Sequence, residues 1–123
     1  MHHVNLCVPT EVDGRDGGEA EGEWLVNVLG YRKAEPGPEA AKFGTLRWYQ
    51  ADDHQVHLTV DPDHQPSGRA HTAIRLDDAL DGVIERLEAM GESPHAITFD
   101  GDRHVFTNDP AGNLWELIGP PAS

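Results

Sequence analysis

The strongest constraint on the fold is that the sequence repeats itself. His3–Val8 (HVNLCV) and His71–Leu76 (HTAIRL) both begin with histidine and alternate side-chain character, as a strand with one buried face does. Each leads to an amphipathic helix closed by a glycine, Gly30 in the first half and Gly91 in the second. A polar residue then recurs at nearly the same distance: His57 lies 27 residues after Gly30, and Glu116 lies 25 after Gly91. Each half therefore reads strand–helix–strand–strand–strand, with module one over about residues 1–62 and module two over about 69–119. The fold class expected is α+β, with both modules in one domain of 123 residues.

Local signals fill in the modules. Glu11–Gly18 reads as a Gly- and Asp-rich loop, and Glu19–Leu29 as a helix with Ala20, Trp24, Leu25, Val28 and Leu29 inward. Ala34–Ala41 holds two prolines and reads as a connection; the wider stretch Glu35–Lys42 is either a lid or a linker. Phe43–Gln50 and Gln55–Val60 read as strands joined at Asp52–Asp53. In module two, Asp78–Met90 reads as a helix capped by Asp77 or Asp78, with Leu80, Val83, Ile84, Leu87 and Met90 buried. Ala96–Phe99, His104–Asn108 and Leu114–Ile118 complete the strands, the last two separated by the turn Asp109–Gly112.

Composition excludes several functions. Nine basic residues face 22 acidic ones, a formal charge of −13, so neither nucleic acid nor an anionic membrane surface is an expected partner. Cys7 is the single cysteine, which rules out an internal disulfide and a thiolate zinc site. No apolar run is long enough to span a bilayer, and the opening residues do not read as a secretion signal. A cytoplasmic protein is expected, with His2 and His3 as native residues.

Strand parity gathers the chemistry. His3 shares a face with Asn5 and Cys7, His57 with Thr59, and His71 with Ala73 and Arg75, each opposite the apolar set. Glu116 takes the matching position on the last strand, opposite Trp115 and Leu117. Three imidazoles and one carboxylate make a donor set for a divalent first-row ion with positions left open for water or substrate. Around it, Arg75 is a candidate for an anionic substrate group or for a salt bridge. One of Trp48 and Tyr49 must face the same way and offers a stacking surface, and Arg103 and His104 are candidate substrate contacts. Cys7 reads as wall, His54 as a turn residue and His64 as a loop residue, while His95 gives no clear signal.

The stretches HHVNLCV, VHLTV, AHTAIRLDD and FTNDPAGNLWEL together resemble the landmarks of the vicinal oxygen chelate (glyoxalase/bleomycin-resistance/dioxygenase) superfamily across nearly the whole chain. The DPAGN-x-x-E-L ending is the most specific of them. The resemblance implies paired βαβββ modules forming an incomplete, cupped β-barrel around one divalent metal, in a homodimer. His3, His57, His71 and Glu116 fall on its four ligand positions. Asn5 stands where fosfomycin-resistance members carry a hydroxyl residue, and His57 stands where members similar to glyoxalase I carry a glutamate. Members similar to extradiol dioxygenases use a triad that maps onto His3, His71 and Glu116, which would make His57 an acid/base or an extra ligand.

The function expected is that of a metal-dependent lyase or isomerase acting on a small oxygenated molecule through a metal-chelated enediolate. Glu116 or a metal-bound hydroxide would move the proton, with His57 the second catalytic candidate. The ion is Fe, Ni, Zn, Mn or Co. The alternatives are an extradiol-type Fe(II) dioxygenase and a non-catalytic drug-binding protein of the bleomycin-resistance kind.

Overall fold

A computed structural model describes residues 2–42 and 47–122. The chain divides into two compact units, Met1–Gln65 and Pro66–Ser123. The first contains β1 (His3–Val8), β2 (Glu11–Val12), β3 (Arg15–Asp16), α1 (Gly17–Asn27), β4 (Arg32–Ala34), the short α2 (Pro38–Ala41), β5 (Arg47–Gln50) and β6 (Gln55–Val60). The second contains β7 (His71–Arg75), a 3-10 turn (Asp77–Ala79), α3 (Leu80–Ala89), β8 (His95–Phe99), β9 (Asp102–Asn108) and β10 (Leu114–Gly119). Part of the strand expected at Phe43–Gln50, residues 43–46, lies outside the described residues.

The repeat in sequence is a repeat in topology. The sheets run β1-β6-β5-β4 and β7-β10-β9-β8, so in both the first strand pairs in parallel with the last. The remaining pairs are antiparallel. A parallel pair needs a crossover, and in each unit the helix and two further strands supply it. The mixed α+β class and the two βαβββ modules follow directly.

Alternation sets which face is buried. In β6 Val56 and Leu58 are buried, and in β10 Trp115 and Leu117 are, while His57 and Glu116 on the other parity remain half-exposed. α1 lies against β1, β5 and β6 and buries Trp24 and Leu25; α3 lies against β10 and buries Leu80, Val83 and Leu87. Each helix face thus closes one core, and each sheet keeps a second, more polar face.

Helix ends follow backbone chemistry. Asp16 caps α1 by accepting the Glu19 N–H at 2.9 Å, and Gly30 at φ +85° lets the Tyr31 N–H return to the Leu25 carbonyl at 3.0 Å. Gly91 at φ +86° ends α3 in the same manner, with Glu92 N–H bonded to the Leu87 carbonyl at 3.1 Å.

Four expectations need correction. The loop at Glu11–Gly18 contains a tight hairpin turning on Asp13 and Gly14, both at positive φ, and α1 begins two residues early. Neither Asp77 nor Asp78 caps α3: both lie in the 3-10 turn ahead of it, and no side chain caps the helix. Met90, expected inside, is 57% exposed because α3 ends at Ala89, and Ile84 is only half-buried. The connection after Ala34 carries α2, with Pro38 at its first turn where a missing N–H costs nothing.

Candidate functional site

In the first unit the register puts Asn5 opposite His57 on one side and Trp48 opposite His57 on the other. In-register neighbours point the same way, so these side chains share the face turned from α1. The result is a three-ring stack. His57 lies between His3, at 4.1 Å and 13°, and Trp48, at 4.2 Å and 4°. Trp48, not Tyr49, is therefore the aromatic on this face; Tyr49 is buried on the helix side. Burial first, then the neighbouring His3 and His2, push the His57 pKa down, which favours a neutral ring. His2 adds an edge-on contact to His57 at 6.5 Å. Asn5 accepts a hydrogen bond from the Thr59 hydroxyl at 3.0 Å.

The second unit places His71, Glu116 and His104 together. Glu116 Oε1 is 2.9 Å from His71 Nε2, and Glu116 Oε2 is 2.5 Å from His104 Nδ1. The carboxylate is 16% exposed and His104 is 12% exposed, so their contact is sheltered from water, whereas His71 is 37% exposed. His71 Nδ1 lies 2.8 Å from the Arg69 carbonyl, which can only accept, so that nitrogen bears hydrogen. In the neutral ring Nε2 then holds a lone pair, and it faces a carboxylate oxygen. Two acceptors at this distance repel unless a cation, a proton or a metal ion, lies between them. An imidazole that spends its other N–H on a backbone carbonyl is also the usual arrangement of a metal-ligating histidine. The donor chemistry at His71 and Glu116 fits a divalent ion.

Among the described residues, no three or more His, Cys, Asp or Glu side chains form a group arranged to hold a metal. Each unit presents its own pair of candidates, His3 with His57 and His71 with Glu116. Cys7 is half-buried on β1.

The other candidates separate. Arg75 is on the Glu116 face but is held by Asp77 at 3.2 Å and Asp102 at 2.9 Å. Arg103 is corrected: its register opposite Gly119 and Thr98 turns it to the helix side, where it bonds Asp81 at 2.6 Å. His104, one residue along, takes the opposite parity and lies on the Glu116 face. Its contact with Glu116 was missed from sequence, although strand parity places both on one face. His54, read as a turn residue, is also more engaged than expected: it meets the buried Tyr31 hydroxyl at 2.6 Å and Asp53 at 2.6 Å.

No protein-family profile and no curated protein sequence matches the chain. Solved structures do. A glyoxalase family protein from Bacillus anthracis is 20% identical with a TM-score of 0.79, covering 98% of this chain and 94% of its own. A lactoylglutathione lyase from Agrobacterium tumefaciens is 21% identical with a TM-score of 0.68, covering 97% and 92%. A variant of the fosfomycin resistance protein FosX from Listeria monocytogenes, in complex with Mn(II) and a dihydroxypropylphosphonic acid, is 17% identical with a TM-score of 0.70, covering 95% and 89%. The chain has the paired βαβββ fold of the vicinal oxygen chelate proteins.

Proposed function

We propose that this protein is a divalent-metal-dependent enzyme acting on a small oxygenated substrate by lyase or isomerase chemistry. The proposed ligands are His3 and His57 in the first unit and His71 and Glu116 in the second, the four positions that the family resemblance implies. The observation that carries the reading is the approach of His71 Nε2 to Glu116 Oε1 at 2.9 Å, with His71 Nδ1 turned to a backbone carbonyl. Support comes from the fold shared with a lactoylglutathione lyase and with an Mn(II)-bound FosX. When bound, the ion polarises substrate oxygens and stabilises negative charge that develops on them.

The remaining work belongs to the chain. Glu116 is the base, and the His104 Nδ1–H donating to Oε2 orients its carboxylate while Oε1 faces His71. The His3–His57–Trp48 stack provides a flat aromatic wall, and Trp48 contacts substrate. Asn5 contributes an amide for a substrate oxygen. A second reading, the triad His3, His71 and Glu116 with His57 as acid/base, is favoured by the engagement of His57 Nε2 with Gln55 at 2.8 Å. That is the ligand pattern of an extradiol-type Fe(II) enzyme. The active form is taken to be a homodimer.

Elemental analysis of untagged protein, repeated on His71→Ala and Glu116→Ala, tests the proposal. Near-stoichiometric metal in the wild type, lost in both variants, supports it. Folded protein that refuses every divalent ion sinks it and leaves a small-molecule-binding module.

A further inference from the structure

We infer that Gln50 and Gln55 form a positioning relay that locks His57 in the Nε2–H tautomer and leaves Nδ1 as its only basic atom. The polarity of the relay follows from its far end. One terminal atom of the Gln50 amide lies 2.5 Å from the Ala51 carbonyl and 3.2 Å from the His54 carbonyl. Both partners only accept, so that atom is the NH2 group and the other is the oxygen. The Gln50 oxygen is 2.7 Å from the Gln55 amide, which must present its own NH2 there. The Gln55 oxygen is then the atom 2.8 Å from His57 Nε2, and an amide oxygen meets that nitrogen only if it carries hydrogen. Two backbone carbonyls thus dictate the tautomer of a ring two side chains away.

The stack completes the constraint. A half-turn of the imidazole would restore the ambiguity between its nitrogens. Rings lie parallel on both faces of His57, fixing its plane, and the Gln55 bond selects one of the two orientations in that plane. The relay's own anchor is fixed as well. His54, whose carbonyl receives Gln50, is held by Tyr31 and Asp53 through its ring, and its carbonyl also closes the β5–β6 turn by accepting the Ala51 N–H at 2.9 Å. The β5–β6 turn therefore does more than join two strands: it orients a side chain on the functional face. None of these bonds depends on a bound ion. The consequence for chemistry rests on the proposed function: His57 would take a metal ion or a substrate proton at Nδ1.

The test is a long-range 1H–15N correlation spectrum of histidine-labelled, metal-free protein. Wild type should show His57 with a protonated Nε2, a bare Nδ1 and a slowly exchanging Nε2 proton. Free imidazole already leans towards that tautomer, so the variants decide. Gln55→Leu should raise the Nδ1–H fraction about tenfold, the bias one neutral hydrogen bond gives, and speed Nε2 proton exchange. Gln50→Leu, which frees the Gln55 amide to turn its NH2 toward His57, should shift the tautomer in the same direction; unchanged His54 and His71 signals show that each variant is folded. An Nδ1–H tautomer in the wild type, or a Gln55→Leu spectrum identical to it, overturns the relay. Zn(II) added to wild type should then move the Nδ1 resonance, and metallation at Nε2 overturns the assignment of the basic atom. A His57 that ignores Zn(II) while His71 responds removes His57 from the ligand set, a failure of the proposed function that leaves the metal-free tautomer result intact.

Discussion

Asp109 shows what the most family-specific stretch of the chain does physically. Its side chain is buried at 5% exposure and works twice: Oδ1 accepts the Asn113 N–H and Oδ2 the Trp115 indole N–H, both at 2.9 Å. Its carbonyl also accepts the Gly112 N–H at 2.9 Å, at a position whose φ of +86° suits glycine. The DPAGN turn is therefore a clip that delivers Trp115 to the core, and period-two alternation then sends Glu116 to the opposite face. Asp109→Ala removes both acceptor oxygens, one from each of two donors, which predicts a loss of about 2–4 kcal/mol, read as a lower urea midpoint. Asp109→Asn keeps one of the two acceptors and should lose about half as much. Tyr31 supplies a second residue-scale prediction. Burial raises its pKa well above the usual phenol value. The unfolded chain deprotonates first, near pH 10, so the native state loses stability as pH rises above that value. Tyr31→Phe should flatten the alkaline limb of a stability–pH curve between about pH 10 and 11.5; an unchanged limb would assign that loss to other groups.

At the scale of elements, legibility depended on whether a residue answered to its neighbours in sequence or in space. The strands His3–Val8 and Gln55–Val60 were readable to the residue because alternation is local. The start of α1 was not. Gly17, Gly18 and Gly22 look like loop or weak helix by propensity, and they are glycine for tertiary reasons. A Cβ at Gly17 would overlap the Pro9 carbonyl, at Gly18 the Arg47 side chain, and at Gly22 the Tyr49 hydroxyl. Asp13–Gly14 and Asp100–Gly101 are both hairpin turns with positive φ at each residue, so the first was legible in principle from the dipeptide alone. The ligand candidates were found from the repeat, but the partners of those residues were not. Nothing in one dimension says that Gln50 meets Gln55, or that Glu116 meets His104, without strand order and register. The same distinction makes a prediction. Gly22→Ala should cost about 1–3 kcal/mol through overpacking against Tyr49. Gly37→Ala, where no atom lies within 4 Å of the added methyl and φ is −65°, should stay within about 0.5 kcal/mol of wild type. Helix propensity alone would make Gly22→Ala stabilising by about 1 kcal/mol, so a gain in thermal melts would show that the approach of α1 to β5 does not constrain this position.

For the molecule as a whole, the dominant electrostatic fact is the formal charge of −13. Among the described residues, Arg15, Arg32, Lys42, Arg47, Arg75 and Arg103 already pair with carboxylates, so most of the basic side chains are committed while acids remain in excess. Most of these pairs are solvent-exposed, where each contributes little, and like-charge repulsion then outweighs them. Screening length falls from about 30 Å at 0.01 M salt to about 3 Å at 1 M. Raising NaCl across that range should therefore increase Tm by several degrees, the response to about 1 kcal/mol of relieved repulsion. A Tm that falls with salt would mean that the ion pairs carry more stability than the acidic surface costs. This response also isolates the proposed metal site. Screening depends on ionic strength alone, whereas a bound ion stabilises with the logarithm of its own concentration, by about 2.7 kcal/mol at a hundredfold excess over Kd. In 0.5 M NaCl, micromolar Mn(II) or Zn(II) should still raise Tm in the wild type, and the increment should vanish in His71→Ala while the response to NaCl survives. If the increment persists in that variant, the acidic surface binds the ion, and the opposed acceptors at His71 and Glu116 are closed by a shared proton alone.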